Sequence, residues 1–339
     1  MMEKRDDGRR RSGPILVTGA AGFIGHAVSR KLVQRGEKVI GIDNLNDYYD
    51  PKLKAARLDN LRELPEFHFT QMDVSDNQSV SKLVQDEGVK RIIHLAAQAG
   101  VRYSIENPFA YQKSNLQGHL SLLEASRHAP DFEHLVYASS SSVYGDKPMG
   151  GEGFTEEEPA MDPVSLYAAT KRSCELMSAS YAKLYGFPQT GLRFFTVYGP
   201  WGRPDMAYFS FTQKILAGEA IEVYGEGKMA RDFTYIDDIV DGILGALDHP
   251  PASGDHRVLN IGDSRPVGLM EMINTLEQAL GIEAKKIMRP MQPGDVTATY
   301  ADVSKLHALT GYKPKVMLEE GLEKFVSWYR DFYGNLPPE

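Results

Sequence analysis

Residues 15–25 read Ile-Leu-Val-Thr-Gly-Ala-Ala-Gly-Phe-Ile-Gly: a short β-branched run that stops on a glycine and continues with the spacing GxxGxxG. Gly19 and Gly22 let the backbone turn tightly and approach a phosphate group, and Gly25 lets the helix that starts at Phe23 and Ile24 pack closely on the strand. In a chain with 31 glycines such a triplet is weak alone, so its surroundings decide. From Ile15 onward short apolar runs alternate with helical-period segments: ILVTG, Phe23 to Gln34, KVIGIDN, EFHFTQMDV, Val80 to Gln85, RIIHLAA. That alternation predicts βαβ units around a parallel sheet, and strands with few polar interruptions fit burial on both faces. HLVYASS (134–140) and TGLRFFTVYG (190–199) extend the pattern.

The expected fold class is therefore α/β, a Rossmann-type doubly wound parallel sheet with a smaller C-terminal substrate-binding lobe. Residues 13–199 are expected to form mainly the dinucleotide-binding part. After Gly199 the texture changes to a Pro/Gly/Arg loop at Trp201 to Asp205 and scattered strand candidates, EVYG (222–225) and RVLNIG (257–262). Residues 200–339 thus read as mainly the smaller lobe, with some segments returning to the first. Met1 to Ser12 is charged and Arg-rich with no apolar segment behind it, which reads as a disordered tail and not a signal peptide.

The ends of the strands carry the cofactor signal. KVIGIDN stops at Asp43-Asn44, where a carboxylate can accept hydrogen bonds from the adenosine ribose hydroxyls and would repel a 2′-phosphate, so NAD is favoured over NADP. Asp73 and Val74 follow the third strand, where the adenine would lie. Leu95, Ala96 and Ala97 follow the fourth with small side chains that admit a cofactor.

Formal net charge of -8 argues against a general nucleic-acid binder, which needs a basic footprint. No run approaches the roughly 18 apolar residues of a membrane span. The single cysteine, Cys174, can form neither an internal disulfide nor a multi-thiolate metal site, and no metal is expected; with no signal peptide read at the start, the address reads as cytoplasmic.

Chemistry on an alcohol needs a base, and a tyrosine of reference pKa about 10 can serve where cations favour its phenolate. A lysine four residues later on a helix lies on the same face. Tyr-x-x-x-Lys occurs three times here. Tyr48 and Lys52 flank Asp50-Pro51, and Tyr224 and Lys228 enclose two glycines, compositions that argue against a helix. Only Tyr167 and Lys171 sit in a helical sequence, SLYAATKRSCELMSASYAKLYG. The run Ser139-Ser140-Ser141-Ser142 could be a linker by composition, but its apolar flanks put it at the carboxyl end of a parallel strand, where such sheets place ligands.

Together these residues resemble the extended short-chain dehydrogenase/reductases, and GIDNLNDYYD, HLAAQAGVRYSIENP, YASSSSVYG, SLYAATK, LRFFTVYGPWGRPDMA and RDFTYIDDIV are similar to the UDP-glucuronate 4-epimerases over Ile15 to roughly Tyr312. The resemblance implies reversible C4 epimerisation of UDP-glucuronate to UDP-galacturonate through a 4-keto sugar, with tightly bound NAD. It implies that Tyr167 is the acid and base, that Lys171 holds the nicotinamide ribose and favours the phenolate, and that Ser140 relays the proton. Ser139 and Asn115 would lie near the cofactor, with Phe194 and Val197 bordering the nicotinamide.

On the substrate side the resemblance implies contacts from Gln98, Arg102, Ser141, Ser142, Thr196 and Met206. Arg203 would meet the sugar carboxylate, Arg231 the UDP phosphates, Tyr224 the uracil and Asp295 the uridine ribose. Thr196 stands where UDP-galactose 4-epimerases have asparagine, and Gln292 where they have arginine, so Arg289 could supply that phosphate contact. Membrane-anchored plant members differ from this chain, which looks like a soluble bacterial type. A homodimer is expected through the Tyr-x-x-x-Lys helix and a neighbour over about Pro108 to His128. Leu116, Leu120, Leu123, Leu176 and Met177 could equally face the domain's own sheet.

Rival chemistries share the fold. The 4,6-dehydratases place Asp-Glu at the positions of Ser141 and Ser142, and UDP-glucuronate decarboxylases place Glu at Ser142. An epimerase for UDP-galactose or UDP-N-acetylhexosamines is a nearer alternative, and a NAD-binding sensor without catalysis one of a different class.

Overall fold

A computed structural model describes residues 13–146, 153–291 and 298–334. The expected tail over residues 1–12 lies outside them. Along the chain come β1 (Ile15–Thr18), α1 (Phe23–Gln34), β2 (Val39–Asp43), α2 (Pro51–Arg62), β3 (Phe67–Gln71), α3 (Asn77–Asp86) and β4 (Arg91–His94). Next are α4 (Tyr103–Glu106), α5 (Pro108–Tyr111), α6 (Gly118–His128), β5 (His134–Ser140), α7 (Leu166–Tyr185), β6 (Gln189–Phe194), β7 (Thr196–Tyr198), α8 (Ala207–Leu216) and β8 (Ala220–Val223). The remainder are β9 (Ala230–Tyr235), α9 (Ile236–Asp248), β10 (His256–Ile261), β11 (Pro266–Gly268), α10 (Leu269–Leu280), β12 (Lys285–Met288), β13 (Ala298–Thr299), α11 (Ser304–Thr310) and α12 (Leu318–Tyr333).

The main sheet has seven parallel strands in the order β10-β6-β5-β4-β1-β2-β3. All residues of β1, β2, β4 and β6 are buried, because helices cover both faces. The strand order runs outward in opposite directions from β1 and β4, and the crevice beyond their carboxyl ends is where such sheets bind ligands. The fold is thus the α/β Rossmann type that the alternation predicts. The late strand β10 completes this sheet, and α9 packs on α1, with Arg35 and Asp248 paired at 2.8 Å.

Two expectations change. TGLRFFTVYG is not one strand: β6 stays in the main sheet, whereas β7 pairs in parallel with β9 in a second, smaller sheet. The chain crosses over at Phe195, whose N–H donates to the Ile261 carbonyl. EVYG is not a strand to its end either. β8 stops at Val223, since Gly225 and Glu226 adopt positive φ of 59° and 51° in a tight turn. The segment from Pro108 to His128 is helical throughout but carries a π-helical stretch, Gln112–Gln117, between α5 and α6.

The helix α7 has identifiable stops. The Ser165 hydroxyl accepts from the Ala168 N–H at its start, and Gly186 closes it in the left-handed conformation at φ 80°. Those two residues fix where Tyr167 sits in the first turn. No described helix is long and apolar enough to cross a membrane.

Candidate active site

A cavity of about 850 Å³ opens at the carboxyl ends of the main strands and runs beneath the second sheet. Its floor is the glycine turn. Gly19 has φ +71°, and a Cβ there would meet the Ala96 backbone nitrogen at 2.8 Å. A Cβ on Gly25 would meet the Gly19 carbonyl oxygen at 2.0 Å, so only glycine lets α1 approach the turn. The helix starts at Gly22 with no side-chain cap, which leaves its first N–H groups facing the cavity end. An anionic diphosphate fits this cradle by shape and by dipole.

Asp43 closes the next strand, nearly buried. Its carboxylate accepts from the Ala21 N–H at 3.2 Å and the Leu45 N–H at 2.8 Å, which orients it with lone pairs left for ribose hydroxyls. Burial pushes the Asp73 carboxyl up, but hydrogen bonds from Ser75, Lys113 and Asn44 outweigh it and hold the group below its ordinary value. Phe23, Ile24, Asn44, Val74, Leu95, Ala96 and Ala97 line the same end. This set fits an adenine dinucleotide with free ribose hydroxyls.

At the other end Tyr167 and Lys171 project from one face of α7 into the cavity. The Lys171 ammonium donates to the Ala138 carbonyl at 2.8 Å, tying the helix to β5. The Tyr111 ring meets the Tyr167 ring edge-on with centroids 6.1 Å apart. Ser140, Ser141 and Ser142 lie where β5 ends. The Ser140 Oγ accepts from the Ser142 N–H at 3.2 Å and from its hydroxyl at 2.9 Å, so the Ser140 proton is left to donate. Ser139 borders the cavity too, but its hydroxyl is committed to Glu175 at 2.6 Å. Neither of the other two Tyr-x-x-x-Lys pairs shares a helix: Tyr48 precedes α2, and Tyr224 lies in the turn after β8.

Phe194, Val197, Gln98, Arg102, Thr196, Arg203, Met206 and Tyr224 also line the cavity. Among the described residues, three motif-derived positions do not. Asn115, in the π-helical stretch, is buried and bonds both backbone groups of Gln98, N–H at 2.8 Å and carbonyl at 3.0 Å, and Thr170 at 3.0 Å. It therefore positions the cavity wall and does not touch the cavity. Arg231 lines a smaller neighbouring cavity of about 200 Å³ that shares Arg102, Thr196 and Met206. Arg289 is outside both linings, paired with Glu222 at 3.0 Å. Asp295 and Gln292 lie outside the described residues.

Sequence reasoning missed three charged groups. Arg57 is fully buried in α2 and donates to the Ala21 carbonyl at 3.0 Å, the Trp201 carbonyl at 2.6 Å and the Gly202 carbonyl at 2.9 Å, bracing the glycine turn against the loop of Arg203. Asp205 grips Arg203 through both carboxylate oxygens. Burial raises the Asp205 carboxyl, and the Arg203 charge more than reverses this. Glu175 joins Ser139 to Arg193 beneath β5. The Arg57 and Glu175 partnerships span chain segments that no local spacing connects, whereas Asp205 lies two residues from Arg203 in one loop.

The site's residues lie on both halves of a stretch that the NAD dependent epimerase/dehydratase family matches over residues 15–262. UDP-glucuronate 4-epimerase 3 of Arabidopsis thaliana is 46% identical over 338 residues, 96% of this chain and 78% of that one. The crystal structure of UDP-glucuronic acid 4-epimerase from Bacillus cereus in complex with UDP-glucuronic acid and NAD is similar with a TM-score of 0.88 at 35% identity, covering 94% of this chain and 100% of that one. UDP-glucose 4-epimerase of Thermotoga maritima, solved with UDP-glucose, gives 0.85 at 32%, over 94% and 99%. The family match begins at the first residue of β1 and ends just past β10, so it takes in every strand of the main sheet, and the chain belongs to the NAD dependent epimerase/dehydratase family.

Proposed function

We propose that this protein interconverts UDP-glucuronate and UDP-galacturonate by epimerisation at C4, using tightly bound NAD. The observation that carries this is the state of the acids lining the cavity. Asp43 is held by two backbone amides, Asp73 by Ser75, Asn44 and Lys113, Asp205 by Arg203, and Glu222 by Tyr224 and Arg289. The residues after Ser140 are serines. Eliminating water would need an acid and a base beside the tyrosine, and the described lining offers only hydroxyls there.

NAD, when bound, takes a hydride from C4 of the sugar and later returns it. The chain's own residues do the rest. Tyr167 receives the proton of the 4-hydroxyl, relayed by Ser140, and gives it back to the ketone oxygen after the sugar has turned its other face. Lys171, one helical turn away, holds the nicotinamide ribose. Asp43 takes the adenosine ribose, Tyr224 borders the uracil, and Arg231, with Asp295, serves the uridine diphosphate. Ser141, Ser142 and Thr196 receive the sugar.

The keto sugar is a β-keto acid and sheds carbon dioxide when its carboxylate stands perpendicular to the carbonyl plane. Arg203, which lines the cavity, restrains that carboxylate in this reading, because a guanidinium grips two oxygens at once where a lysine would act as a point charge. A sugar without a carboxylate would leave this arginine without a substrate partner, which favours the uronate over UDP-galactose.

The same reading includes a homodimer in the cytoplasm. Phe109 on α5 is 79% exposed and Leu176 on α7 57%, with Leu120 and Leu184 exposed nearby. Exposed apolar residues of this kind on α5, α6 and α7 support a partner helix pair. Leu123, by contrast, is fully buried against the protein's own core. The one cysteine is free and buried, in keeping with a reducing compartment.

The decisive experiment incubates the purified protein with UDP-glucuronate, no NAD added, and resolves the product by NMR. UDP-galacturonate is expected. A UDP-pentose as main product, or no conversion even with NAD supplied, would overturn the proposal.

A further inference from the structure

Epimerisation makes a demand that simple recognition does not. The sugar must present first one face and then the other to the same cofactor, so every strong grip on it has to be released and remade in each cycle. A carboxylate clamped by a guanidinium is the strongest such grip in this cavity. Releasing it would leave a bare guanidinium in a water-poor site, at a desolvation cost that would hold the ring in place.

The loop around Arg203 has its backbone tied at several points, whereas the guanidinium is held by one side chain. The carbonyls of Trp201 and Gly202 are pinned by the buried Arg57, and the Arg203 carbonyl accepts from the Met206 N–H at 3.1 Å. The Trp201 ring packs on Trp328 and Phe332, each at 5.3 Å between centroids. A Cβ on Gly202 would collide with the Tyr208 hydroxyl at 1.9 Å. The head of Arg203 has a different setting. Its Nε donates to Asp205 Oδ1 at 3.0 Å and one terminal nitrogen to Oδ2, and both side chains line the cavity. The Tyr48 hydroxyl donates to the same Oδ2 at 3.2 Å. Burial first, and the Asp205 charge second, push the Tyr48 phenol up to about 12, so at neutral pH it stays a donor. Asp205 thus keeps a hydrogen bond when Arg203 leaves it.

We infer that Asp205 stands in for the substrate carboxylate, taking the Arg203 guanidinium while the sugar turns over and surrendering it to the C6 carboxylate in each bound pose. The inference rests on the proposed uronate substrate. Asp205 is a positioning residue: it touches Arg203 and not the reacting carbon. It lowers the affinity for the ground state of the uronate and raises the rate of turning, because the two carboxylates compete for one fork.

The sign of the effect separates this from a merely structural role. In NAD-loaded protein carrying Tyr167→Phe to stop turnover, Asp205→Asn is expected to bind UDP-glucuronate roughly two- to fivefold more tightly, the range released by removing a partly exposed competing ion pair. Binding of UDP-glucose should not change. In protein with Tyr167 intact, Asp205→Asn should lower both KM and kcat for UDP-glucuronate, and the absorbance of reduced nicotinamide should rise in the steady state. Weaker or unaltered binding of UDP-glucuronate to Asp205→Asn would overturn the inference, since a residue that only orients Arg203 gives that result. Arg203→Ala is the control for the underlying reading. If it binds UDP-glucuronate as well as the parent does, the carboxylate contact itself is wrong. If it binds more weakly and Asp205→Asn does not bind more tightly, the exchange alone fails.

Discussion

Glu175→Gln tests whether the active-site helix is held by a buried charge. Glu175 lies one turn beyond Lys171 on α7, and its side chain is 1% exposed. Oε1 accepts from the Ser139 hydroxyl at 2.6 Å and from Arg193 Nε at 2.9 Å, while Oε2 accepts from the other Arg193 nitrogen at 2.9 Å and from Arg172 at 2.7 Å. This one carboxylate ties α7 to β5 just before Ser140 and to β6. Glutamine keeps the shape and one acceptor oxygen. Its NH2, however, meets the N–H groups of Arg193, and the cation, 4% exposed, loses its counter-charge. The Tyr144 ring, 4.7 Å from Arg193 Cζ, remains as partial compensation.

Removing one partner of a buried pair costs about 3–5 kcal/mol. The retained oxygen and the Tyr144 ring favour the lower end, about 3 kcal/mol. Urea unfolding at neutral pH measures it. Burial raises the Glu175 carboxyl, and Arg193, Ser139 and Arg172 together bring it below its ordinary 4.5. A depressed carboxyl contributes stability above its unfolded value and loses it as pH falls through the folded one. The gap between parent and variant should therefore be constant above about 4.5 and close below it. Displacement of Tyr167 should also lower kcat by about ten- to a hundredfold. Glu175→Leu combined with Arg193→Met should recover most of the stability and not the rate. A loss under about 1 kcal/mol for Glu175→Gln would refute the reasoning, because a cation this buried cannot lose its counter-charge so cheaply.

Gly25→Ala should cut NAD retention more than tenfold, since its Cβ would sit 2.0 Å from the Gly19 carbonyl and no flexible side chain is there to yield; retention measured after gel filtration at the parent's level would contradict the close approach of α1. Leu176→Glu should convert a dimer to a monomer in sedimentation, and a dimer that persists would exclude this face. Burial lowers His26 and His256 to about 4 and His119 to about 3, and places His94 well below its ordinary 6.5. Unfolding takes up a proton at each of them below about 6.5, so stability should fall by roughly 1.4 kcal/mol per pH unit per histidine as the pH drops from 6 toward 4. A urea midpoint that is flat between pH 7 and 5 would be the contrary result.

What could be read from the sequence was whatever the local chain dictates. Phe23–Gln34 and His134–Ser140 coincide with the runs read from pattern, because a glycine turn and an almost fully buried strand leave no competing register. The crossing at Phe195 was hidden: LRFFTVYG is apolar on both sides of it, and only the pairing of β7 with β9 shows that it serves two sheets. The π-helical stretch around Asn115 carries no helix breaker and was equally silent. The motif residues at the strand ends fall in one cavity because strand ends in a doubly wound sheet converge. Arg57 reaches a carbonyl 144 positions away, and Ser139 a carboxylate 36 away. Such partnerships are set by packing, which a single sequence does not display.

The two arginine–carboxylate pairs nearest the chemistry show how burial divides labour between them. Glu175 and Arg193 are enclosed at 1% and 4% exposure, so separating them would leave a buried cation without its counter-charge, and the pair acts as a fixed tie between α7 and the sheet. Arg203 and Asp205 have the same chemistry at 23% and 30%, facing the cavity. An incoming carboxylate can replace Asp205 on the Arg203 fork, and the Tyr48 hydroxyl then remains on Asp205. The rigid pair sets the distance from Tyr167 to the strand ends, and the exchangeable pair lets the sugar move within that frame. An enzyme that must hold its base still while its substrate turns over needs both kinds. Converting one into the other should fail in opposite ways: loosening Glu175 would spoil the geometry of the base, and burying Asp205 would stop the sugar from turning.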